Sequence, residues 1–334
     1  MEESVLIDKL LDNEHIDLSG HNFSECFSDD IKGLFLEDDV SEIMINGRNS
    51  VYIEKSGRLY DIGLCVSEVE IQRFLDVVSR LNSRNIDFNH PIFDGRLPGG
   101  FRCNVVAPPV SLSGSMITVR KHSNRIRSFN ELVQLGMMKD EHAMLLKKMI
   151  DDKMNIIIAG GTGTGKTTLV NVMFNSLLTT EPQRIITIED TAELRIDLPH
   201  VISLESRYAT PDCPVEIGIR DLVKTALRMR PDRIVIGEVR GEEAYDLLHA
   251  LNTGHKGTVC TIHANSCRDA LRRLETLAVL GHPNLDILVP RSWIASNINV
   301  VAYVERVGGD RRLGELKKIE GVEGGNYVLC DLIH

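Results

Sequence analysis

With 334 residues, the chain is long enough for about two domains, and its hydrophobic content of 43% is that of globular proteins with packed cores. The formal net charge of −10 at pH 7 argues against a surface that binds nucleic acid without regard to sequence. The acidic start, Met1-Glu2-Glu3-Ser4, lacks a signal pattern, and no apolar run approaches the ~18 residues of a membrane-spanning helix. We therefore expect a cytoplasmic protein whose membrane contact is peripheral.

The pattern of apolar residues predicts two domains joined by a linker. Residues 38–120 are predicted to form a smaller mixed α/β domain, and the polar, basic and pattern-free residues 121–127 are typical of a linker. Residues 128–334 alternate strands and helices, which is the signature of a parallel sheet covered on both faces. Residues 1–37 are expected to be an N-terminal extension, at most helical, to which no chemistry is assigned.

Several elements of the smaller domain can be placed. Residues 40–46 are strand-like and end at the turn pair Asn46-Gly47. Ser67 and Glu70 have the spacing of a capping box at a helix start, and apolar residues at helical spacing follow them. Further strands are predicted over residues 51–54, 101–106 and 116–119.

A glycine-rich segment in the larger domain fits the phosphate-binding pattern G-x-x-x-x-G-K-[ST] in full. It reads Gly160-Gly161-Thr162-Gly163-Thr164-Gly165-Lys166-Thr167. A strand is predicted before it and an amphipathic helix after it, so backbone N–H groups and the helix N-terminus would surround a β-phosphate. Lys166, expected to be a solvated loop residue, would reach the β- and γ-phosphates, and Thr167 would bind Mg²⁺ through its hydroxyl.

Two further buried strands lead into carboxylates. Residues 184–188 run into Glu189-Asp190, and residues 234–238 end in Glu238. Because ligands bind at the carboxyl ends of strands in open α/β sheets, both glutamates should lie near the phosphates. One of them would hold Mg²⁺ through water and the other would orient the attacking water. Glu238 occupies the usual Walker B position and is assigned to the metal site, but the sequence leaves open which glutamate is the base.

A third strand, over residues 258–262, ends at His263. A polar residue there can hydrogen-bond the γ-phosphate and report whether it is present. Arg240 lies just beyond Glu238 and is placed for phosphate chemistry. His255 is left open between a structural and a functional role.

Basic residues also recur every four positions on a predicted helix whose other face is apolar and which Pro231 ends. This basic stripe is either a solvated face or a contact with a neighbouring subunit or with phosphate. Its members are Arg220, Lys224 and Arg228.

Four ordered segments resemble the motifs of the type II/IV secretion-system ATPases, the hexameric motors of secretion, conjugation and pilus assembly. The similarity extends over about residues 38–320 and includes two segments of the smaller domain, 41–47 and 93–98. It is closest to the tight-adherence (Flp) pilus and conjugative-transfer branch, since the tetracysteine zinc module of the type II branch is absent from the sequence. The segments correspond to Walker A (160–168, which includes Thr168), the Asp box (188–194), Walker B (227–241) and the His box (253–266).

The resemblance implies a homohexamer that binds ATP and Mg²⁺ between the N-terminal domain and a RecA-like ATPase domain. It also implies that Arg102 and Arg120 reach phosphate from the N-terminal side, with ordinary strand-edge salt bridges as the alternative. An arginine delivered by a moving domain would stabilise transition-state charge and couple hydrolysis to rotation about the 121–127 linker. The implied partners are inner-membrane components of a secretion or pilus machine.

The sequence thus favours a cytoplasmic, Mg²⁺-dependent ATPase that powers assembly or transfer in a membrane-spanning machine. A RecA-like DNA translocase or helicase is one alternative, but the acidic balance and the lack of an aromatic and basic stripe argue against it. A non-motor ATP-binding switch is another, and the acids at both strand ends argue against that. Sequence-specific nucleic-acid binding is not expected. The sequence leaves open whether the cargo is pilin, effector protein or conjugative DNA, and in which direction force acts.

Overall fold

Two sheets, each with its own hydrophobic core, organise the chain in this computed structural model. The described residues up to 121 form one compact unit, the N-unit, and those from 126 onward form a second, the C-unit. The structure describes residues 23–37, 39–55, 57–121, 126, 128–178, 182–209 and 214–333.

The N-unit contains a six-stranded sheet in the order β3-β2-β1-β6-β5-β4, and every pairing in it is antiparallel. The capping box predicted at its longer helix is confirmed, because Ser67 Oγ accepts from Glu70 N while the Glu70 carboxylate accepts from Ser67 N at 2.8 Å. The elements are α1 (Asp29–Leu36), β1 (Val40–Asn46), β2 (Ser50–Lys55), β3 (Arg58–Asp61), α2 (Glu68–Asn82), β4 (Ile92–Leu97), β5 (Phe101–Val106) and β6 (Met116–Arg120).

The core of the N-unit begins earlier in the chain than the sequence indicates. Phe23, Ile31 and Phe35 are buried in the same cluster as Phe74 of α2, and the Phe23 ring meets that of Phe35 edge-on at 5.3 Å. The predicted boundary at residue 38 is therefore too late, because aromatic side chains before it complete the core. The remainder of the predicted extension, residues 1–22, lies outside the described residues.

The C-unit contains an eight-stranded sheet in the order β14-β13-β12-β7-β11-β10-β8-β9. The six strands from β12 to β9 in that order are parallel, and β13 and β14 continue the sheet as antiparallel strands. Its elements are α3 (Phe129–Gln134), α4 (Asp140–Asp151), β7 (Ile156–Gly160), α5 (Lys166–Asn175), β8 (Ile185–Glu189), β9 (Val201–Glu205), α6 (Ile219–Ala226), β10 (Arg233–Ile236), α7 (Glu243–Asn252), β11 (Val259–Ile262), α8 (Cys267–Gly281), α9 (Leu288–Asn297), β12 (Val300–Val307), β13 (Asp310–Glu323) and β14 (Asn326–Asp331).

The central strands of the C-unit are buried on both faces, which explains their almost uninterrupted apolar sequences. All residues of β7, β8, β10 and β11 are buried, and two separate clusters of apolar side chains cover the sheet. Because these strands are parallel, their carboxyl ends meet at one edge of the sheet, the carboxyl edge. Strand β11 lies between β7 and β10.

Some predicted boundaries differ from those observed. Strand β10 ends at Ile236, so Glu238 stands two residues beyond the strand, whereas Glu189 is the last residue of β8. Helix α6 ends at Ala226, so Arg228 follows the helix instead of continuing its basic stripe. Within the described part of the chain, no helix combines the length and apolarity that crossing a membrane requires.

Candidate active site

The glycine loop, residues 160–165, joins β7 to the start of α5 and can form only with little side-chain bulk. A Cβ at Gly160 would lie 2.3 Å from the Val304 carbonyl oxygen, and Gly165 caps α5 with a φ of 95°. Thr164 Oγ1 donates to the Gly161 carbonyl at 2.9 Å and holds the turn together. The backbone of this loop is thus free to approach a ligand closely, as the sequence predicts.

Lys166 is the first residue of α5, and its side chain is only 8% exposed. Its ammonium donates to the carbonyls of Gly160 at 3.0 Å and Gly161 at 2.8 Å, and lies 3.4 Å from His263 Nδ1. The expectation of a solvated lysine is therefore wrong, because the loop carbonyls and the neighbouring strand end enclose the ammonium. A charge held in a shielded place acts more strongly on a bound anion than one in open solvent.

Glu189 is buried at the end of β8, with 3% of the residue exposed. Its Oε1 accepts from the backbone N–H groups of Glu193 at 2.8 Å and Leu194 at 2.9 Å, while Oε2 has no hydrogen-bond partner among the described residues. Burial raises the pKa of this carboxyl to about 7, against the lowering effect of the two backbone hydrogen bonds. The side chain passes directly over Gly237, where a Cβ would lie 2.7 Å from Glu189 Cγ.

Glu238 lies in the opposite electrostatic environment. Arg240 Nη2 donates to its Oε2 at 2.7 Å, and His263 Nε2 lies 3.0 Å from its Oε1. Burial alone would raise the pKa of Glu238, but the hydrogen bond and charge of Arg240, with His263 and Lys166 behind it, lower that pKa. Glu238 is therefore a permanent carboxylate at neutral pH.

His263 bridges Lys166 and Glu238. Burial and the Lys166 charge lower the pKa of His263, although Glu238 opposes that shift. A neutral imidazole satisfies both contacts, since Nε2–H can donate to Glu238 while Nδ1 accepts from the Lys166 ammonium. The three side chains thus form a continuous polar row at the carboxyl edge, from the glycine loop to the end of β10.

Arg240 ties the ends of β8 and β10 together. Its Nη1 lies 3.6 Å from Asp190 Oδ2, and Asp190 Oδ1 in turn accepts from Ser206 Oγ at 2.6 Å. The Glu243 carboxylate accepts from the backbone N–H groups of Arg240 and Gly241 and so fixes the loop that presents this arginine. Glu243 was not predicted from the sequence, although an acid in the first turn of a helix is a recognisable signal of contact with free backbone N–H groups at the helix start.

A hairpin distant in sequence contributes two arginines beside the glycine loop. Arg311 Nε donates to the Gly163 carbonyl at 3.0 Å, and its Cδ lies 3.3 Å from where a Cβ of Gly165 would be. Arg306, across the same β12–β13 hairpin, has its Nη1 3.9 Å from the Cβ position of Gly163. Sequence reasoning missed both, because they are brought here by the pairing of β12 with β7.

The remaining candidates are placed as follows. Thr167 and Thr168 lie in the first turn of α5, half-buried, directly after Lys166. His255 Nδ1 lies 3.1 Å from the Ala250 carbonyl at the end of α7, near the opposite edge of the sheet. Arg220, the first residue of the basic stripe, forms ion pairs with Glu242 and Asp246 and so links α6 to α7 within the C-unit.

Arg102 and Arg120 belong to the N-unit, where they face each other across β5 and β6. Arg102 Nη2 donates to Asp94 at 3.1 Å, and Arg120 is paired in register with Glu42 of β1. Each arginine has a carboxylate beside it, Asp94 for Arg102 and Glu42 for Arg120. The N-unit thus presents a preformed pair of cations on one face of its sheet.

The carboxyl edge of the C-unit fits a nucleotide phosphate with Mg²⁺. The glycine loop and the shielded Lys166 supply donors for phosphate oxygens, and Thr167 and Glu238 are oxygen ligands of the kind Mg²⁺ takes. One buried carboxylate oxygen of Glu189 has no hydrogen-bond partner among the described residues.

Comparisons with known proteins find relatives over most of the chain. The model of a family described as type II/IV secretion system protein matches residues 28–305. The chain is 35% identical over 290 residues to the conjugal transfer protein TrbB of Rhizobium radiobacter, with 86% of each chain covered. It is 32% identical over 298 residues to the type IV secretion system protein PtlH of Bordetella pertussis, which covers 81% of this chain and 87% of that one. The structure of the pilus retraction motor PilT with bound ADP matches with a TM-score of 0.60 at 21% identity, over 89% of this chain and 79% of that one, and shows a shared fold.

Proposed function

This chain belongs to the type II/IV secretion system protein family, and we propose that it is a Mg²⁺-dependent ATPase motor that serves conjugal transfer or type IV secretion. The polar row at the carboxyl edge carries the proposal, because Lys166, His263 and Glu238 lie in contact beside the glycine loop. The C-unit is then a RecA-like ATPase domain, with β11 inserted between the strand before the glycine loop and the strand before Glu238.

The two glutamates divide the work. Glu189 Oε2 accepts the proton of the attacking water, because it is buried, lacks another partner and belongs to a carboxyl whose pKa is raised to about 7. The water oxygen bonds to the γ-phosphorus while the bond from that phosphorus to the β-phosphate oxygen breaks, so that ADP leaves. Glu238 is held as a carboxylate by Arg240 and therefore serves the metal site with Thr167.

The cations of the C-unit position the phosphates and neutralise them. The Lys166 ammonium exchanges its loop carbonyls for β- and γ-phosphate oxygens. His263 detects the γ-phosphate, because its ring already touches both Lys166 and Glu238 and any shift of either changes its contacts. Thr167 and Glu238 would hold Mg²⁺, which would supply Lewis-acid stabilisation of the developing charge.

Assembly completes the site. Arg102 and Arg120 of the N-unit act on transition-state charge within a homohexamer, and rotation of the N-unit about the linker near residues 121–127 couples hydrolysis to force. The placement of both arginines opposite each other on neighbouring strands of the N-unit supports this role, because it brings two cations to one part of the sheet. The proposed partners are inner-membrane components of the secretion machine, which the motor contacts peripherally from the cytoplasm.

The test is phosphate release from ATP by the purified chain with Mg²⁺ and with excess EDTA. Lys166→Ala should abolish turnover, whereas Lys148→Ala, an exposed lysine on α4, should retain it. Near-normal turnover by Lys166→Ala would contradict the assignment of the site.

Mixed rings test the arginines. Arg102→Ala or Arg120→Ala should depress kcat more than nucleotide affinity, and Arg58→Ala, on the exposed strand β3, is the matched control. If the contact crosses subunits, mixing an arginine variant with Glu238→Gln restores activity at some interfaces. Specific activity should also rise with protein concentration, and a monomer that is fully active at all concentrations would rule out this assembly.

A further inference from the structure

A second polar cavity lies in the C-unit at the amino ends of β10 and β11, the edge of the sheet opposite the glycine loop. Its volume is about 420 Å³, which is within the range of small-molecule sites. The residues that line it include Lys153, Arg233, Lys256 and Asp232. Three basic residues and one acidic residue therefore line the cavity, in a chain whose net charge is −10.

Arg233 is the unusual member of this wall. The residue is 1% exposed, and its Nε and Nη1 donate to Gln183 Oε1 at 2.6 Å and to the Ile150 carbonyl at 2.7 Å. Its Nη2 has no hydrogen-bond partner among the described residues. Burial lowers the pKa of Arg233 to about 10, against the opposing charges of Asp151 and Asp232. A buried cation without full hydrogen bonding is costly, and the negative charge of an anion in the cavity would offset part of that cost.

The Arg233 guanidinium is held firmly behind the wall of the cavity, and its Nη2 is itself buried. A Cβ at Gly257 would lie 3.0 Å from Arg233 Nη1, so the guanidinium is packed in place. Helices α4 and α7 end beside the cavity, and their terminal carbonyls could repel an anion. Arg233 Nη1 donates to the Ile150 carbonyl of α4, and Thr253 Oγ1 donates to the Ala250 carbonyl of α7 at 2.8 Å. The helix ends are thus partly capped, and Lys153 and Lys256 lie in the loops that follow α4 and α7.

We propose that this cavity is a second anion site, which binds a phosphate group separately from the glycine loop. The ammonium groups of Lys153 and Lys256 are its donors, and the buried charge of Arg233 behind the wall adds to the positive field. The phosphate is either free inorganic phosphate or the end group of a small phosphate ester, for which the volume leaves room.

The position of the site suggests that it acts on hydrolysis, a consequence that rests on the proposed function. Strand β10 begins at Arg233 and β11 follows Thr258, and the residues after these two strands include Glu238 and His263. A four-residue strand spans about 13 Å, so an ion at the amino end of β10 acts through one rigid element on the metal-site glutamate.

Phosphate binding should be measured by calorimetry in a Lys166→Ala background, which weakens binding at the glycine loop. We expect inorganic phosphate to bind once per chain, and Lys153→Ala with Lys256→Ala to weaken that binding at least tenfold. The matched control removes two exposed lysines elsewhere in the C-unit, Lys139→Ala with Lys318→Ala, and should leave the affinity within about twofold. Lys256→Ala alone is the alternative variant if the double variant fails to fold, with circular dichroism as the check.

Adenosine monophosphate as a second probe separates the two sources. Tighter binding of the ester than of inorganic phosphate assigns the site to a small phosphorylated molecule, and equal or weaker binding assigns it to the free ion. Equal affinities in the site and control variants, or no binding of either probe, would overturn the proposal. So would a change of oligomeric state in Lys153→Ala with Lys256→Ala without phosphate binding, since a carboxylate of another copy would then be the occupant.

The effect on hydrolysis is read from kcat with and without added phosphate, with Lys166 intact. Product inhibition at the glycine loop is common to all variants, so a phosphate effect that is lost in Lys153→Ala with Lys256→Ala comes from the second site. Phosphate binding in a chain that does not hydrolyse ATP would leave the anion site standing and contradict the proposed ATPase.

Discussion

Strands β8 and β10 are neighbours in the sheet, and each has a glutamate at or just beyond its carboxyl end. The two carboxylates nevertheless occupy opposite electrostatic environments. Glu189 is enclosed without a cation, and its pKa is raised to about 7. Glu238 is held by Arg240 and His263, and its pKa is lowered. Equivalent positions at a strand end bring both acids to the site, but the groups that pack around each acid decide whether it holds a proton or a charge.

This difference resembles a general feature of acid–base sites, in which two like groups acquire different roles because their surroundings move their pKa values apart. The close approach of Glu189 to Gly237 makes the separation possible, because a larger residue before Glu238 would push the carboxyl out of its enclosed position. Substitutions at the ends of β8 and β10 should therefore have different effects.

At the end of β10, the largest effect is expected for Glu238→Gln. Loss of the charge at the metal site should lower kcat by about two orders of magnitude and raise the Mg²⁺ concentration needed for half-maximal rate. Glu216→Gln, an exposed glutamate of the C-unit, is the matched control. An unchanged Mg²⁺ requirement in Glu238→Gln would remove this glutamate from the metal site.

Arg240→Ala should have a smaller effect, about a tenfold fall in kcat, since a hydrogen bond to a charged group is lost. Without Arg240 the pKa of Glu238 rises, so the variant should lose activity at a higher pH than the wild type as the pH falls. Activity measured between pH 5 and 8 checks this, with the exposed Arg228→Ala as control. Parallel pH profiles would show that Arg240 does not set the charge of Glu238.

Arg311→Ala should weaken nucleotide binding only a few-fold, about fivefold, because one hydrogen bond to the glycine loop is removed. Arg312→Ala alters the next residue of the same strand and should not change the affinity. Fluorescent nucleotide binding measures both. Equal affinities in the two variants would indicate that the hairpin does not support the loop.

The stability of Glu189→Gln relative to that of the wild type should reveal the raised pKa of Glu189. The folded state holds this proton up to a pH of about 7, against a usual value of 4.5, so the free energy of unfolding of the wild type falls as pH rises between these values. Glutamine has no such dependence. The Tm of Glu189→Gln minus that of the wild type should therefore be greater at pH 8 than at pH 5, and a constant difference would contradict the raised pKa.

The local sequence predicts much of the site. The glycine loop, the strand before it, the acid at the end of β8 and the acid beyond β10 follow from short patterns that the structure reproduces within one or two residues. The helix start at Ser67 was equally readable, since a capping box is a local signal. Roles that depend on packing could not be predicted in this way. Neither the burial of Lys166 nor the contrast between the pKa values of Glu189 and Glu238 follows from the neighbouring residues in the sequence.

Contacts from distant segments explain most of what the sequence missed. Arg311 reaches Gly163 across 148 positions of the chain. Phe23 and Phe35 join the N-unit core from a segment without a periodic pattern. The predicted stripe failed at Arg228 because the helix ends at Ala226, before the left-handed Arg230 at φ 54°. Such interactions are fixed by tertiary structure and not by local propensity.

The central claim is that Glu189 is the base of an ATPase whose metal site is held by Glu238. Single-turnover hydrolysis by Glu189→Gln, measured together with binding of a fluorescent ATP analogue, tests it most directly. We expect nucleotide binding within a few-fold of the wild type, because the amide keeps the shape, and hydrolysis slowed by about 10²–10⁴-fold, because the proton acceptor is lost. Hydrolysis at the wild-type rate by a variant that binds nucleotide normally would contradict the claim.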